Sequence, residues 1–537
     1  MEEFNQILEH IYARMSEYPA IPLGMLVFLV IMGYRNWKEK QIKEAVEIED
    51  TGFPAPQQYT APQPVHRKTG LLDHVLFSWT PRDPFTVTDL LRSVSIFGAI
   101  GSGKTSGSGA FIGRALVRSP RISMLILASK PEDKEMWQKM YAKAGRSKDL
   151  LVFSPESGLR FNCLDFVQKM GGETRDITQA LTMIGETLEH GEGSGGDDGR
   201  FWRKEQGRMI DNIVTIIRLA TGRVHAPELQ KFINGAAMKP DELRAEGWQS
   251  GFHSKCLEAA HRNARTSIER HNVQLAMEYW LKEFPSMADK MRSGILTGVL
   301  GTLHVFNQGV VRELMSTDSN ITPQIFESGK SVLVDMAISS NGVAGAFVLG
   351  AWQYLTQWYI LKRHAQENSP VICIWSDEHQ KVMNSFCPTF LAECRSHRGC
   401  MVTLTQSIHS YYTRLKEGGE HEADSYLTNF YTKIAHALGD SKTAEYFGGL
   451  IGRKLTMHMG GSMKPAESPY DALFGQQGFS GSFSQQVENI VENTEFMQNM
   501  RTGGRQNGYV VDGIVVRSAA PFSTGNAYLK VAFSQRG

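Results

Sequence analysis

"IFGAIGSGKTS", residues 96–106, fits the spacing G-x-x-x-x-G-K-[ST] without a mismatch, at Gly98, Gly103, Lys104 and Thr105. The run before it, "SVSIF" (93–97), is rich in β-forming residues, and "TSGSGAFIGRALV" (105–117) can form a helix. A strand, a glycine-rich turn and a helix in this order gather backbone N–H groups around phosphate oxygens. We therefore predict a phosphate-binding loop made of Gly98, Ala99, Ile100, Gly101, Ser102, Gly103, Lys104, Thr105 and Ser106.

Two side chains of this loop have predicted roles of their own. Lys104 reaches the terminal phosphates of a nucleoside triphosphate, which we take to be ATP, and the Thr105 hydroxyl ligates Mg²⁺. Such loops serve small-molecule kinases, transporters, helicases and secretion motors alike. Other parts of the sequence must distinguish among these classes.

Partner carboxylates are predicted at the end of a second buried strand. In "PVICIWSDEHQKV" (370–382), an apolar run is followed by Asp377 and Glu378. Asp377 is predicted to hold Mg²⁺, and Glu378 to polarise the attacking water. The alternative is a surface loop with two neighbouring carboxylates and no function.

A third polar side chain follows a later strand. "CMVTLTQ" (400–406) ends in Gln406, which we expect to contact the γ-phosphate; the alternative is an ordinary turn residue at a strand end. The phosphate-binding loop and Asp377 lie about 270 residues apart, which excludes compact small-molecule kinases. No ABC-type signature stands out. The arrangement favours RecA-like motors, in which hydrolysis moves a polymer.

Length and composition fit a large intracellular protein. A chain of 537 residues is too long for one core, and two or three domains are expected. The formal net charge of +1 gives no global attraction to nucleic acid, although a ring-shaped motor needs only a few cations on pore-facing loops. The six cysteines form no CxxC pair, which favours reduced thiols in the cytoplasm.

The N-terminal part is predicted to be a membrane anchor. "AIPLGMLVFLVIMGY" (20–34) is apolar and follows an amphipathic segment, while Arg35, Lys38, Lys40 and Lys43 come after it. This charge bias predicts a single pass in a bacterial inner membrane, with the bulk of the chain in the cytoplasm. The alternative is a buried core helix. The anchor spans 1–45, and a proline-rich linker spans 46–70, including "FPAPQQYTAPQPV" (53–65).

The remaining chain alternates between two patterns. Apolar strands at 124–133 and 150–166 give way to helical periodicity, and strands return at 331–337. We therefore predict an α/β fold: a RecA-like P-loop NTPase domain (71–170 and 301–537) interrupted by an all-α domain (171–300). Arg262, Arg265, Arg270 and His271 of the helical part either face nucleic acid or form a solvated helix face.

Five further segments carry a resemblance to a known family. They are "RFNCLDF" (160–166), "FWRKEQGRMIDNIV" (201–214), "MRSGILTGVLGTLHVF" (291–306), "CRSHRGCMVTLTQSIHSY" (394–411) and "LTNFYTKIAHALGDSKTAEYFGGLIG" (427–452). In this order they resemble the type IV secretion coupling ATPases, the TraG/TraD group related to the HerA/FtsK translocases. The resemblance covers about residues 75 to 535.

The resemblance implies a membrane-anchored ATPase that delivers DNA with its attached relaxase, or protein effectors, to the channel of a type IV secretion or conjugation system. It implies a homo-hexamer that acts on single- or double-stranded DNA, with ATP between neighbours and an arginine acting in trans, for which Arg395 and Arg398 are candidates. Two departures are visible. Only one membrane pass is predicted where the family usually has two, and "ASKPED" (128–133) replaces Asp-Pro-Lys-Gly-Glu.

Three alternatives remain open at this point. The first is a coupling ATPase for protein effectors only, and the second is a HerA/FtsK-like DNA translocase outside secretion. The third is a scaffold that binds nucleotide only to assemble a ring.

Overall fold

The computed structural model of the chain describes residues 70–187, 197–415, 419–463 and 479–536. The predicted anchor (1–45), and the linker (46–70) up to residue 69, lie outside these described residues. Contacts join Thr69–Gly537 into one compact unit.

A nine-stranded sheet forms the centre of this unit, in the order β13-β12-β9-β3-β8-β7-β4-β6-β5. Strands β9, β3, β8, β7, β4, β6 and β5 run parallel, whereas β12 is antiparallel to β9 and β13 to β12. Hairpins β1–β2 and β10–β11 form two separate ribbons. The strands are β1 (Val75–Thr80), β2 (Asp83–Thr86), β3 (Val94–Phe97), β4 (Ile122–Leu127), β5 (Leu150–Phe153), β6 (Ser331–Val334), β7 (Val371–Ser376), β8 (Gly399–Thr405), β9 (Thr432–Ala435), β10 (Arg453–Met463), β11 (Phe479–Asn489), β12 (Val510–Arg517) and β13 (Tyr528–Ser534).

The central strands are apolar runs because both faces of the sheet are covered. Every residue of β3, β4, β7 and β8 is buried. Val94 and Ile96 pack into the core on one face, and Phe97 packs into the larger core on the other. A parallel sheet with helices on both faces requires such continuous hydrophobic strands rather than alternating ones.

Helices fill the connections. Near the loop and on the sheet they are Val87–Leu90, Ala110–Arg118, Pro131–Lys143, Ile338–Lys362, Cys387–Glu393, His409–Arg414, Gly419–Thr428, Ser441–Ile451 and Asn493–Gln498. Between β5 and β6 they are Cys163–Lys169, Thr174–Glu186, Asp197–Thr221, Ala226–Asn234, Glu246–Gln249, Phe252–Asn263, Ser267–Glu278, Phe284–Ser286, Asp289–Phe306 and Gly309–Met315. The α/β class predicted from the sequence is therefore confirmed, while the proposed domain boundaries stay a prediction.

Two of the family-like segments pack against each other in this helical region. Trp202 and Gln206 of Asp197–Thr221 lie against Gly294 and Gly298 of Asp289–Phe306, where a Cβ would come within 2.7 Å and 2.1 Å of those side chains. A side chain at Gly294 would displace the Trp202 ring, whereas one at Gly298 would require the flexible end of Gln206 to move. The segments at 201–214 and 291–306 thus form one helix contact.

The "RFNCLDF" segment begins a helix. The Asn162 side chain accepts a hydrogen bond from the Asp165 N–H at 3.1 Å, and Cys163 is the first helical residue. That first position tolerates proline well, because its N–H has no partner within the helix. The family that the segment resembles has proline where this chain has Cys163, and both residues are compatible with this helix start.

Among the described residues, no single helix is long and apolar enough to cross a membrane. One pair, Asp289–Phe306 and Gly309–Met315, meets the length and composition criteria only when both helices are taken together, and they are bent by 77°.

Candidate nucleotide-binding site

The phosphate-binding loop leaves the end of β3 and is tied to both neighbouring strands. The Gly98 N–H donates to the Thr405 carbonyl at 3.2 Å, and the Ala99 N–H donates to the Ala437 carbonyl at 2.8 Å. Thr405 ends β8, and Ala437 follows β9. These bonds fix the loop at the edge where the parallel strands end, which we call the carboxyl edge.

The conformation of the loop depends on its glycines. Gly101 and Gly103 have φ angles of 77° and 83°, in the left-handed region that side chains disfavour. A Cβ on Gly103 would also lie 2.6 Å from Cγ2 of Val511. The chain then turns through Thr105–Gly109 into the helix Ala110–Arg118, so that the helix N-terminus faces the loop.

The other loop residues differ in exposure. Ile100 is 83% exposed at the tip, whereas the Ser102 hydroxyl is buried with no hydrogen-bond partner among the described residues. The Ser106 hydroxyl accepts a hydrogen bond from Nε2 of Gln535 at 2.7 Å, which brings the C-terminal residues onto the loop. An orphaned hydroxyl inside the loop fits a site that takes a polar ligand.

Five side chains that follow three strands meet at the carboxyl edge. Nζ of Lys104 lies 3.3 Å from Oε1 of Glu378, and both side chains are almost completely buried. The Thr105 hydroxyl donates to Oδ2 of Asp377 at 3.0 Å. β8 lies between β3 and β7, so Gln406 at its end stands between the loop and the two carboxylates, and Nε2 donates to Oε2 of Glu378 at 3.0 Å.

The backbone of Glu378 is strained. Its φ and ψ angles are 47° and 46°, which is uncommon for a residue with a side chain. The Glu378 N–H donates to Oδ1 of Asp377 at 2.8 Å. Strain of this kind costs about 1–3 kcal/mol and clusters at functional sites. Here it turns two consecutive carboxylates toward the same loop.

The two carboxylates have different electrostatics. Burial raises the pKa of Asp377, and the neighbouring Glu378 charge adds to this, while Lys130 and Lys104 oppose it. Burial would also raise the pKa of Glu378, but the Lys104 ammonium and hydrogen bonds from Gln380 and Gln406 outweigh it and hold this pKa below its usual value. Glu378 is therefore ionised and paired near neutral pH.

A second acidic group lies near Asp377, after β4. Asp133 is buried and accepts hydrogen bonds from the N–H groups of Ser129 and Lys130 at 2.9 and 3.0 Å. Burial, with the charge of Asp377, raises its pKa to about 6. The "ASKPED" segment, whose role the sequence left open, thus lies beside the carboxyl edge.

His436, which the sequence analysis did not single out, supports the loop from β9. Its Nδ1 lies 2.7 Å from the Asp512 carbonyl, so Nδ1 carries the proton, and Nε2 accepts from the Ser108 hydroxyl at 2.7 Å. Burial lowers the pKa of His436 to about 4. Its position directly after a buried strand, like that of Asp377 and Gln406, is the signal that could have found it. Gln380 was missed in the same way.

Arg395 and Arg398 lie elsewhere. They precede β8, so they stand at the amino edge of the sheet, and Arg398 lies roughly 26 Å along the strand from Gln406. Arg395 is exposed, and Nη1 of Arg398 donates to the Ser369 carbonyl at 3.4 Å. The structure does not bring either arginine to the site of its own chain, and their role in trans stays a prediction.

The residues present fit Mg²⁺ bound together with a nucleotide. Thr105 and Asp377 offer a hydroxyl and a carboxylate side by side, and Mg²⁺ in such sites takes its other ligands from phosphates and water. Within the described ranges, no group of three or more His, Cys, Asp or Glu residues could hold a metal ion by itself.

Comparisons with known proteins give a family and a shared fold. A family model described as type IV secretory system conjugative DNA transfer matches residues 42–486. The structure is similar to an unbound form of the bacterial conjugative coupling protein TrwB, at a TM-score of 0.53 and 15% identity, over 88% of this chain and 91% of that one. It is also similar to TrwB in complex with ADP and Mg²⁺, at a TM-score of 0.51 and 14% identity, over 85% and 89% of the two chains.

Structural similarity at such low sequence identity shows that this chain shares the fold of TrwB, and it leaves function to the site and the family. Curated protein sequences gave no match. The family model covers most of the chain, including the phosphate-binding loop, the ends of β7 and β8, and the helical region. The chain belongs to the type IV secretory system conjugative DNA transfer family.

Proposed function

We propose that this protein hydrolyses ATP and uses the energy to deliver conjugative DNA, with its attached relaxase, to a type IV secretion channel. The observation that carries the proposal is the group of Lys104, Thr105, Asp377, Glu378 and Gln406 at the carboxyl edge, of which Lys104 and the two carboxylates are buried. A cation, a hydroxyl, two carboxylates and an amide are the set that phosphoryl transfer to water requires.

Each of these residues has a role in the proposed reaction. The loop from Gly98 to Ser106 holds the phosphates, and Lys104 contacts the terminal ones. Thr105 and Asp377 hold Mg²⁺, which neutralises charge on the phosphates when it is bound. Glu378 accepts a proton from a water whose oxygen bonds to the γ-phosphorus, while the bond to the β,γ-bridging oxygen breaks and its electron pair leaves with ADP. Gln406 contacts the γ-phosphate.

The printed descriptions of the similar structures support the choice of nucleotide. TrwB has been described in complex with a non-hydrolysable ATP analogue, with a GTP analogue, and with ADP and Mg²⁺. We extend nucleotide and Mg²⁺ binding to this chain because its own loop offers the groups named above.

DNA is the cargo we propose, because the family is one of conjugative DNA transfer. The exposed cations Arg262, Arg265, Arg270 and His271 lie on the helices Phe252–Asn263 and Ser267–Glu278 and, for Arg265, in the turn between them; they offer a surface that phosphates would attract. A working hexamer with ATP between subunits, and Arg395 or Arg398 acting in trans, belongs to the same proposal. So does anchoring of residues 1–45 in the inner membrane as a single pass, with the body in the cytoplasm.

The proposal is tested by the ATPase rate of the purified protein with and without single-stranded DNA, over a range of salt concentrations. We expect stimulation by DNA that falls as salt rises, because the contacts are ionic. A matched variant, Arg262→Ala/Arg265→Ala/Arg270→Ala, should lose stimulation and keep the basal rate. ATPase activity without DNA binding at low salt would refute DNA as cargo and favour protein effectors.

A scaffold is distinguished by Glu378→Gln in cells. If that variant still supports DNA transfer at the wild-type level, hydrolysis is not what the pathway needs. If transfer proceeds normally without any secretion channel, a translocase outside secretion is favoured instead.

A further inference from the structure

Three donors surround the carboxylate of Glu378, which is only 4% exposed. Lys104 lies against Oε1 at 3.3 Å. Gln406 and Gln380 both donate to Oε2, at 3.0 and 2.7 Å. In this arrangement two amides engage Oε2, and the Lys104 ammonium beside Oε1 lowers the pKa of Glu378 and so makes it a weaker acceptor of a proton from water.

Two of the three donors have other partners in the proposed reaction. When ATP is bound, Lys104 and Gln406 contact phosphate oxygens instead of Glu378; this step rests on the proposed function. Gln380 has no such second partner, because it lies beyond Glu378, in the turn His379–Lys381 that follows the strained residue. When the other two donors leave, Gln380 is the one that remains on Oε2.

Gln380 is itself held in a fixed orientation. The Thr405 hydroxyl, fully buried at the end of β8, donates to Oε1 of Gln380 at 3.0 Å. The reverse orientation of the amide would place Oε1 of Gln380 against the Glu378 carboxylate, which is repulsive. The amide nitrogen of Gln380 therefore faces Oε2 of Glu378.

We propose that Gln380 is a positioning residue for hydrolysis. It holds Oε2 of Glu378 through its amide, so that Oε1 becomes the oxygen that accepts the proton of the attacking water after Lys104 has left it. Thr405, one residue before Gln406 on the same strand, anchors Gln380 and so links the γ-phosphate contact to the orientation of Glu378.

The first test compares kcat with KM. In Gln380→Ala we expect kcat to fall roughly tenfold to a hundredfold, the effect of one hydrogen bond to a charged group, with KM for ATP within about twofold. Gln406→Ala should also lower kcat, but unlike Gln380→Ala it should lose the preference for binding ATP over ADP. The exposed Gln274→Ala is the matched control and should behave as the wild type.

The second test uses the anchor. Thr405→Val keeps the shape and removes the hydroxyl, so kcat should fall. Thr405→Ser keeps the hydroxyl, so its kcat should stay near that of the wild type. If Thr405→Val and Thr405→Ser lose the same activity, packing rather than the hydroxyl matters, and the linkage is wrong.

A third measurement needs no nucleotide. Urea unfolding of Gln380→Ala, Glu378→Ala and the double variant should be non-additive, because the bond between the two side chains is lost only once. Additive effects would show that the bond is absent and overturn the proposal. A wild-type chain without ATPase activity would refute the proposed function as well, whereas an active wild type with an equally active Gln380→Ala would refute only the role of Gln380.

Discussion

The charged side chains near the two ends of β8 differ in burial and pairing. At the carboxyl end, Glu378 contacts Lys104, Asp377 and Gln406, and the ammonium and both carboxylates are buried. At the amino end, Arg395 is exposed, and the Arg398 guanidinium donates to the Ser369 carbonyl. Buried charges are costly unless paired.

This difference separates two kinds of predicted residue. The carboxyl end is assembled by one chain and carries a complete set of groups for nucleotide chemistry. The amino end offers cations that no group of the same site uses, so any role in hydrolysis requires another molecule. The predictions below test this division.

The largest effect is expected for Glu378→Gln. The amide keeps the size of the side chain but cannot accept the proton, so turnover should fall by about a hundredfold or more, as loss of a general base does. Nucleotide affinity should stay within a few-fold of the wild type in an equilibrium titration. A variant that hydrolyses ATP at the wild-type rate would remove Glu378 from the chemistry.

Lys104→Ala should abolish most nucleotide binding, by roughly a hundredfold in affinity, because the phosphates lose their ammonium partner. The change also leaves Glu378 buried without a cation, which costs about 3 kcal/mol of the unfolding free energy. The double variant Lys104→Ala/Glu378→Gln is the control. It should recover stability and still fail to bind, and unchanged binding in a filter assay would contradict the assignment of the loop.

His436 gives the carboxyl end a dependence on pH. Its pKa is lowered to about 4 by burial, so the folded protein binds fewer protons than the unfolded chain. Stability from this group is full above pH 6.5 and is lost as pH falls from 6.5 to about 4. Between pH 6.5 and 4 the unfolding free energy of His436→Gln should fall by about 2–3 kcal/mol less than that of the wild type. His253 and His379, also buried, keep their share of the slope.

A slope equal to that of the wild type would show that His436 does not titrate as described. The comparison is made by urea unfolding at several pH values, and Arg398→Ala at the amino end serves as the control without a pH effect.

The smallest effects on the single chain are expected at the amino end. Arg395→Ala and Arg398→Ala should change the unfolding free energy by less than about 1 kcal/mol and leave nucleotide affinity unchanged. Their ATPase activity should fall only in the assembled protein. Mixing either variant with Lys104→Ala should restore part of the activity, since one subunit then supplies the arginine and its neighbour the loop. Inactive mixtures of folded, assembled subunits would exclude a role in trans.

The sequence predicted the parts of the carboxyl end that follow buried strands. Asp377 and Gln406 were each recognised because a polar residue ends an apolar run, and Lys104 was recognised from the glycine-rich motif that follows β3. What the sequence lacked was the order of the strands, since hydrogen bonding between β3, β8 and β7 joins segments that are far apart in the chain. For the same reason the bonds of Gln380 and His436 were not foreseen. The predicted anchor lies outside the described residues and stays a prediction.

The central claim is that one chain brings Lys104, Thr105, Asp377, Glu378 and Gln406 to a single nucleotide. Its most direct test is an experimental structure of Glu378→Gln with ATP and Mg²⁺ bound. We predict phosphates in the loop from Gly98 to Ser106, Mg²⁺ on Thr105 and Asp377, and Lys104 on a phosphate instead of on residue 378. A nucleotide bound elsewhere, or Lys104 still paired with residue 378 beside a bound triphosphate, would contradict the account.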